Sequence, residues 1–362
     1  MITISLCMIV RNEQDTLERC LESIRSVVDE IVIVDTGSTD QTKEIAGKYT
    51  GPVFDFKWID DFAAARNFSF AQATMDYILW LDADDVLLAD AHQKLHRLKQ
   101  TLDPEVDVVS MDYHCAFDQQ GEPNLIVRRN RLVKRSKNYQ WQGAVHEDLV
   151  INRDCLLDSD IAITHKQVHG PSDRNLKIYE RLLLAGRPLS PRDIFHYARE
   201  LHHHQMHEKA IEFYLQCMEF SELSAEDKIF VCGKLTDCYY FLGEKEKEWA
   251  SIWRSFEYDV PRPEFCCRLG YHFLQGQKIE QAIFWYKLAA DAPTPQNRWA
   301  ILNHASRTWL PHMQLAHCYY ELGKYELSYE HNLIALSHQP DNEQIQNNIK
   351  LLENILQPLN AR

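Results

Sequence analysis

Tyr77 to Asp85 reads Y-I-L-W-L-D-A-D-D, an apolar run that ends abruptly in Asp82, Asp84 and Asp85. Three carboxylates this close in sequence repel one another, so keeping them ionised requires a compensating cation. Hard oxygen ligands at a strand end suit Mg²⁺ or Mn²⁺ bridging a substrate diphosphate. The competing reading is a plain turn, with Asp85 capping the helix that follows.

The surrounding chain must place these acids. Ile2 to Val10 reads as a first strand, and Leu17, Leu21, Ile24 and Val28 fall on one helix face after it. Glu30 to Val34 is a second strand, closed by D-T-G-S-T-D; Gly37 supplies a tight turn, and Ser38 with Gln41 has the form of a capping box. Val53-Phe54, a helix opened by D-F-A-A-A-R-N (Asp61 to Asn67), the strand Tyr77 to Leu81 and a helix from Leu88 to Leu102 complete an alternating series. Such alternation predicts an α/β fold with a mostly parallel, Rossmann-like sheet covered by helices. Ligands bind beyond the carboxyl ends of the strands in such sheets. Arg11-Asn12, Asp35-Thr36 and Asp82-Ala83-Asp84 all stand at those ends, which points to a nucleotide-diphosphate site.

Composition narrows the classes. The chain has 362 residues, enough for two domains, and is 45% hydrophobic and 25% charged, as soluble globular proteins are. A formal net charge of −14 argues against a nucleic-acid partner and against attraction to anionic membranes. No apolar run approaches the roughly 20 residues of a spanning helix, so membrane insertion is not expected. The start lacks the basic segment of a signal peptide. Ten cysteines without a C-x-x-C pair indicate a reducing compartment, hence the cytoplasm.

The series I-V-R-N-E, D-E-I-V-I-V-D-T-G-S-T-D, D-F-A-A-A-R-N and I-L-W-L-D-A-D-D resembles the family 2 glycosyltransferases of the GT-A fold, over roughly residues 1 to 180. The resemblance implies a UDP-sugar or related donor, a divalent cation and inversion at the anomeric carbon. It further implies that Ile9 and Val10 lie against the base and that Asp35 contacts the nucleoside. Arg66 and Asn67 would hold the nucleotide from the far side. Asp82 would reach the ribose or a metal-bound water, and Asp84 would bind the metal. Many members carry a second acid before the Gly-Ser turn; Thr36 stands there in this chain. The alternative for Arg66 is a surface salt bridge, against which its suitability for diphosphate contact is weighed.

After Asp107 the texture changes to consecutive strands, Val108 to Phe117 and a basic run from Leu125 to Arg135, which predicts an antiparallel extension. Arg128, Arg129, Arg131, Lys134 and Arg135 read as a solvated face, from which one or two could reach the donor phosphates. Tyr139 to Leu149, Y-Q-W-Q-G-A-V-H-E-D-L, resembles the acceptor side of the same family, which makes Glu147 or Asp148 the candidate general base. The alternative for Glu147 is a salt bridge between strands. Trp141 either stacks on a sugar face, joining the donor site, or fills the core. Asp160 to Thr164 ends in His165, which would complete a divalent site with Asp82 and Asp84, or is a partly buried histidine; His169 is a weaker candidate.

Gly186-Arg187-Pro188 marks a boundary, dividing residues 1–187 from 188–362. Beyond it only helical patterns recur. L-T-D-C-Y-Y-F-L-G returns as L-A-H-C-Y-Y-E-L-G. This resembles about four tetratricopeptide repeats, an all-α solenoid that would hold a peptide or form a homodimer with a second subunit. The combined layout resembles bacterial peptide glycosyltransferases, some of which modify a cysteine thiol. Competing expectations are a glycan or lipid acceptor, nucleotidyl transfer, and a non-catalytic repeat scaffold.

Overall fold

The computed structural model describes residues 1–117, 123–152, 155–166, 168, 172–221, 223–293 and 303–360. His169 lies outside them. The chain divides into two compact units, Met1–Gln205 and Met206–Arg362.

In the first unit, β1 (Ile4–Val10), α1 (Leu17–Ile24), β2 (Glu30–Asp35), α2 (Thr42–Ala46), β3 (Val53–Asp55), α3 (Phe62–Gln72) and β4 (Tyr77–Trp80) alternate. β5 (Asp85–Val86), α4 (Ala89–Thr101), β6 (Val108–Phe117), β7 (Pro123–Lys134), β8 (Gln140–Gln142), β9 (Asp148–Val150), β10 (Leu156–His165), α5 (Arg174–Leu184) and α6 (Pro191–His203) follow. Eight strands form one sheet in the order β3-β2-β1-β4-β7-β6-β10-β5, and β8 pairs with β9 separately. β3, β2, β1 and β4 run parallel to one another, while β7 runs antiparallel to both β4 and β6. The expected parallel sheet with an antiparallel extension is therefore the one formed.

The central strand β1 is buried along nearly its whole length, as a strand covered on both faces must be. Its alternate residues Ile4, Leu6, Met8 and Val10 join a core with Leu17, Cys20, Leu21 and Ile24 of α1 and Leu95 of α4. Cys7 on the other face joins Ala63 and Phe70 of α3, Trp80, and Trp141 of β8. Asp61 caps α3, its carboxylate accepting from the Ala64 amide at 2.9 Å. The small Ala63 and Ala65 let α3 lie close enough to bury Arg66. The Ser38–Gln41 capping box does not form. α2 begins later, at Thr42, and Ser38 Oγ instead accepts from the Asn12 amide at 3.0 Å. The first unit also runs past the Gly186 turn to take in α6.

Every element described in the second unit is a helix: α7 (His207–Met218), α8 (Ala225–Leu242), α9 (Lys245–Ser255), α10 (Pro263–Gln275), α11 (Ile279–Ala290), α12 (His304–Arg307), α13 (Trp309–Glu321), α14 (Tyr325–His338) and α15 (Glu343–Asn360). The two echoed strings end alike. Gly243 and Gly323 take left-handed φ of 73° and 70°, and the next amide, of Glu244 or Lys324, donates at 2.9 Å to Tyr239 or Tyr319. The small residues in the pattern, Ala282, Ala289, Ala316 and Ala335, are buried, as closely crossing helices require. No described helix is long and apolar enough to cross a membrane.

Gly270 on α10 is the tightest of these crossings. A Cβ there would stand 2.7–2.9 Å from the ring of Tyr286 on α11. Gly270→Ala is expected to lower the unfolding free energy by about 1–3 kcal/mol in a urea titration. An unchanged midpoint would contradict so close an approach.

Candidate functional site

The acids after β4 diverge rather than cluster. Asp85 turns inward on β5, wholly buried, and its Oδ2 accepts from the Asp82 amide at 3.0 Å. The same oxygen lies 3.1 Å from Arg131 Nη2. Asp85 therefore caps no helix; the following helix, α4, starts after Leu88 without a side-chain cap. Arg131 is 1% exposed, so the solvated-face reading fails for it. Its guanidinium lies over the rings of Trp80 at 3.9 Å and Tyr113 at 4.5 Å. Arg128 is likewise drawn in, 3.0 Å from Asp112 and 3.7 Å from Asp158. An alternating basic strand gave no sign of which cation meets a buried acid.

Arg66 organises the opposite side. Its Nη2 donates to Asp82 Oδ1 at 2.7 Å and its Nε to Glu147 Oε1 at 2.5 Å. The guanidinium sits 4.9 Å from the ring centroids of both Trp80 and Trp141. This is an ion-pair triad centred on a buried arginine rather than a surface salt bridge. Burial works to raise the Asp82 pKa, but the Arg66 and Arg131 charges outweigh it and hold the carboxyl down at about 2. Trp141 is 4% exposed and packs edge-on against Trp80 at 4.9 Å. It supports Arg66 from within the core and offers no open face to a sugar. Asn67 is also committed, its amide exchanging bonds with the Trp141 backbone at 2.8 and 3.0 Å.

Antiparallel pairing of β10 with β5 brings His165 opposite Asp85. His165 Nδ1 is 3.4 Å from Asp84 Oδ1, 3.6 Å from Asp85 Oδ1 and 2.8 Å from the Tyr113 hydroxyl. The carboxylates of Asp84 and then Asp85 beside it push its pKa up to about 10. Ligand atoms of Asp84, Asp85 and His165 all lie within 4.8 Å of one another. Asp85 Oδ1 is buried with no hydrogen-bond partner among the described residues. Two carboxylates, one with an unused oxygen, and an imidazole are donors that fit Mg²⁺ or Mn²⁺. Asp82 of the expected metal set faces Arg66 instead, and Asp85 stands in its place.

The nucleoside candidates line the ends of β1 and β2. Asp35 is 1% exposed; its Oδ1 accepts from the Gly37 and Ser38 amides at 2.9 and 3.0 Å, while Oδ2 has no partner among the described residues. Thr36 Oγ1 donates back to the Val10 carbonyl at 3.2 Å. Asn12, with a left-handed φ of 56°, accepts from the Thr39 amide at 2.9 Å and ties the two loops together. Ile9 is half-buried, whereas Val10 and Ala83 are buried.

Glu147 follows a loop whose shape is fixed from several sides. Gly143 has a φ of 99° and His146 a φ of 52°. His146 Nε2 is 2.6 Å from Glu200 Oε1 of α6, and its ring stacks on His196 at 4.6 Å. Tyr179 donates to the Val145 carbonyl at 3.3 Å and Arg192 to the His146 carbonyl at 3.2 Å. Asp148, by contrast, is exposed and 3.7 Å from Arg192. Sequence reasoning missed His146 and Glu200 and took Arg131 for a solvated residue. It also missed Arg174, which lies 4.7 Å over Phe62 and feels Glu13, Glu147, Asp82 and Arg11 electrostatically.

Residues 5–157 match the family model described as glycosyl transferase family 2. The chain is 38% identical over 147 residues to a TPR repeat-containing protein of Synechococcus elongatus, covering 41% of this chain and 35% of that protein. It is 28% identical over 225 residues to the SPbeta prophage-derived glycosyltransferase SunS of Bacillus subtilis, covering 58% of this chain and 52% of that one. The chain thus spans about a third of the first curated relative and about half of the second. Among solved structures it is similar to glucosyl-3-phosphoglycerate synthase from Mycobacterium tuberculosis in complex with Mn²⁺ and UDP-glucose. That match has 16% identity and a TM-score of 0.36, covering 52% of this chain and 81% of that one.

Arg131→Met leaves Asp85 buried without its cation and is expected to cost about 3–5 kcal/mol in chemical denaturation, much of it regained on adding Asp85→Asn. A loss below about 1 kcal/mol would show that the pair does not hold the site together.

Proposed function

Because residues 5–157 match the glycosyl transferase family 2 model, we propose that the chain moves a sugar from a nucleoside-diphosphate donor, UDP-linked, to a peptide side chain with inversion. One observation carries this reading: Asp82 and Glu147, far apart in sequence, meet on the single guanidinium of Arg66. That sets a candidate base beside the acidic strand end where a donor diphosphate would be held. The unused Asp35 Oδ2 at the end of β2 suits a ribose or base N–H or O–H donor.

Asp84 and His165 would hold the divalent cation, which supplies positive charge for the departing diphosphate. The acceptor's sulfur or oxygen attacks the anomeric carbon as the bond from that carbon to the diphosphate oxygen breaks. The acceptor proton passes to Glu147, whose Oε1 stays on Arg66 and leaves Oε2 to act as base. Arg66 and Arg131 keep Asp82 ionised beside it. The chain is proposed to work in a reducing compartment such as the cytoplasm, where its ten cysteines would stay reduced.

The acceptor is proposed to be a cysteine thiol. A thiol with a pKa near 8.5 demands less of the base than a hydroxyl. Steady-state rates should then fall roughly 10²–10⁴-fold for Glu147→Gln on a serine acceptor and far less on the cysteine version of the same peptide. Asp84→Ala should abolish transfer to both. Equal collapse of Glu147→Gln on both acceptors would contradict the thiol.

In thermal-shift titrations with a panel of nucleotide sugars, a UDP-sugar should raise the melting temperature only with Mn²⁺ present, and Asp84→Ala should remove that shift. A shift of the same size without the cation, or in the variant, would overturn the metal-dependent reading.

A further inference from the structure

α1 does more than cover the sheet. Arg19, Cys20 and Ser23 fall on one side of it, and each holds part of the backbone that carries the acids. Cys20 Sγ donates to the Asp82 carbonyl at 3.5 Å. Burial, and then the carboxylates of Asp85, Asp82 and Asp84, push its pKa far up, so the sulfur keeps the proton it donates. Ser23 Oγ accepts from the Leu87 amide at 3.1 Å and donates to the Cys20 carbonyl at 2.7 Å. The turn from Asp82 to Leu87 is thus fastened to α1 at both ends.

Arg19 reaches the other wall of the site. Its Nη2 donates to the Lys166 carbonyl at 2.8 Å. The Lys166 amide in turn donates to the Asp84 carbonyl at 2.9 Å, one rung beyond the pairing of His165 with Asp85. Lys166 therefore joins the backbones of His165 and Asp84, and Arg19 closes that joint from outside. β5 is a strand of 2 residues, so its pairing with β10 has little length of its own to resist fraying. Arg19 is exposed and makes no ion pair among the described residues. A guanidinium free to meet a surface carboxylate is spent instead on a backbone oxygen beside the site.

We propose that Arg19 is a positioning residue: through Lys166 it fixes the separation of the Asp84 carboxylate and the His165 imidazole, and so the affinity of that pair for a divalent cation. The role rests on the metal binding proposed above. Arg19 itself touches neither cation nor substrate. Groups that hold a metal's ligands in place typically account for 10–100-fold in affinity. The sign of the effect identifies the role. Arg19 is a cation beside a cation site, so if it acted through its charge alone, Arg19→Met would tighten Mn²⁺ binding. Loss of a positioning contact weakens it.

A Mn²⁺ titration of the full chain, read by the electron paramagnetic resonance of the free ion, tests this without donor or acceptor. Asp84→Ala marks whatever Mn²⁺ binds elsewhere on the chain. Arg19→Met should bind Mn²⁺ about tenfold more weakly than the wild type. Its melting temperature should stay the same, since exposed substitutions cost little. Arg19→Lys, which keeps an N–H donor on a long stem, should restore most of the affinity. Hydrogen exchange of the metal-free protein gives a second readout. The Lys166 amide should exchange faster in Arg19→Met, while Ile4–Val10 of β1 stays protected. Mn²⁺ affinity that is unchanged or tighter in Arg19→Met, or an unchanged Lys166 exchange rate, would overturn the positioning role alone. A lower melting temperature with faster exchange across β1 would make Arg19 merely structural and overturn it too. A wild type that binds Mn²⁺ no tighter than Asp84→Ala would overturn the metal reading itself, and this proposal with it.

Discussion

The site depends on charge balance at the end of β4. Asp82, Asp84, Asp85 and Glu147 are brought within a few side chains of one another, and carboxylates so placed do not stay ionised unaided. Arg66 takes Asp82 and Glu147, Arg131 takes Asp85, and His165 faces Asp84. Both guanidiniums lie on Trp80, whose indole N–H is itself fixed to the Asn130 carbonyl at 2.6 Å. Removing either cation exposes a buried carboxylate to a low-dielectric core, so folding and the chemistry of the site are held by the same contacts.

This balance also explains the division of labour among the acids. Asp82 is spent on Arg66 and Asp85 keeps only its Oδ1 unused beside Arg131, which leaves Asp84, facing His165, as the acid with most ligand capacity to spare. The β10–β5 pairing is what delivers His165, and the antiparallel β7 is what delivers Arg131. The extension added to the parallel half of the sheet is therefore part of the site. α6 meets this loop through Glu200, His196 and Arg192, which hold His146 and so set the backbone that carries Glu147.

Much of this was legible in the sequence wherever the signal is local. Strand ends rich in Asp and Asn located the mouth of the sheet, and Asp61 announced α3. The repeated L-x-x-C-Y-Y-x-L-G, closing on a glycine that must be left-handed, announced the helical hairpins. What stayed hidden was pairing across long sequence separation. Asp85 looked like a helix cap because caps are local, whereas its partner Arg131 sits two strands later. Arg131 looked solvated because a basic run alternates, and only the register of β7 against β4 decides which cation turns inward. Asn67 and Trp141 had the residue types of ligand contacts, yet they use their polar groups and ring faces to pin β8 onto α3. Chemistry of type does not reveal whether a neighbour has already claimed the group.

The most direct test is a crystal structure of the chain with UDP and Mn²⁺. The expected density shows the ion coordinated by Asp84 with His165 alongside, touching the diphosphate, and the nucleoside hydrogen-bonded to Asp35. A bound nucleotide with no ion beside it, and with Asp82 and Asp84 turned away, would contradict the whole reading of the site.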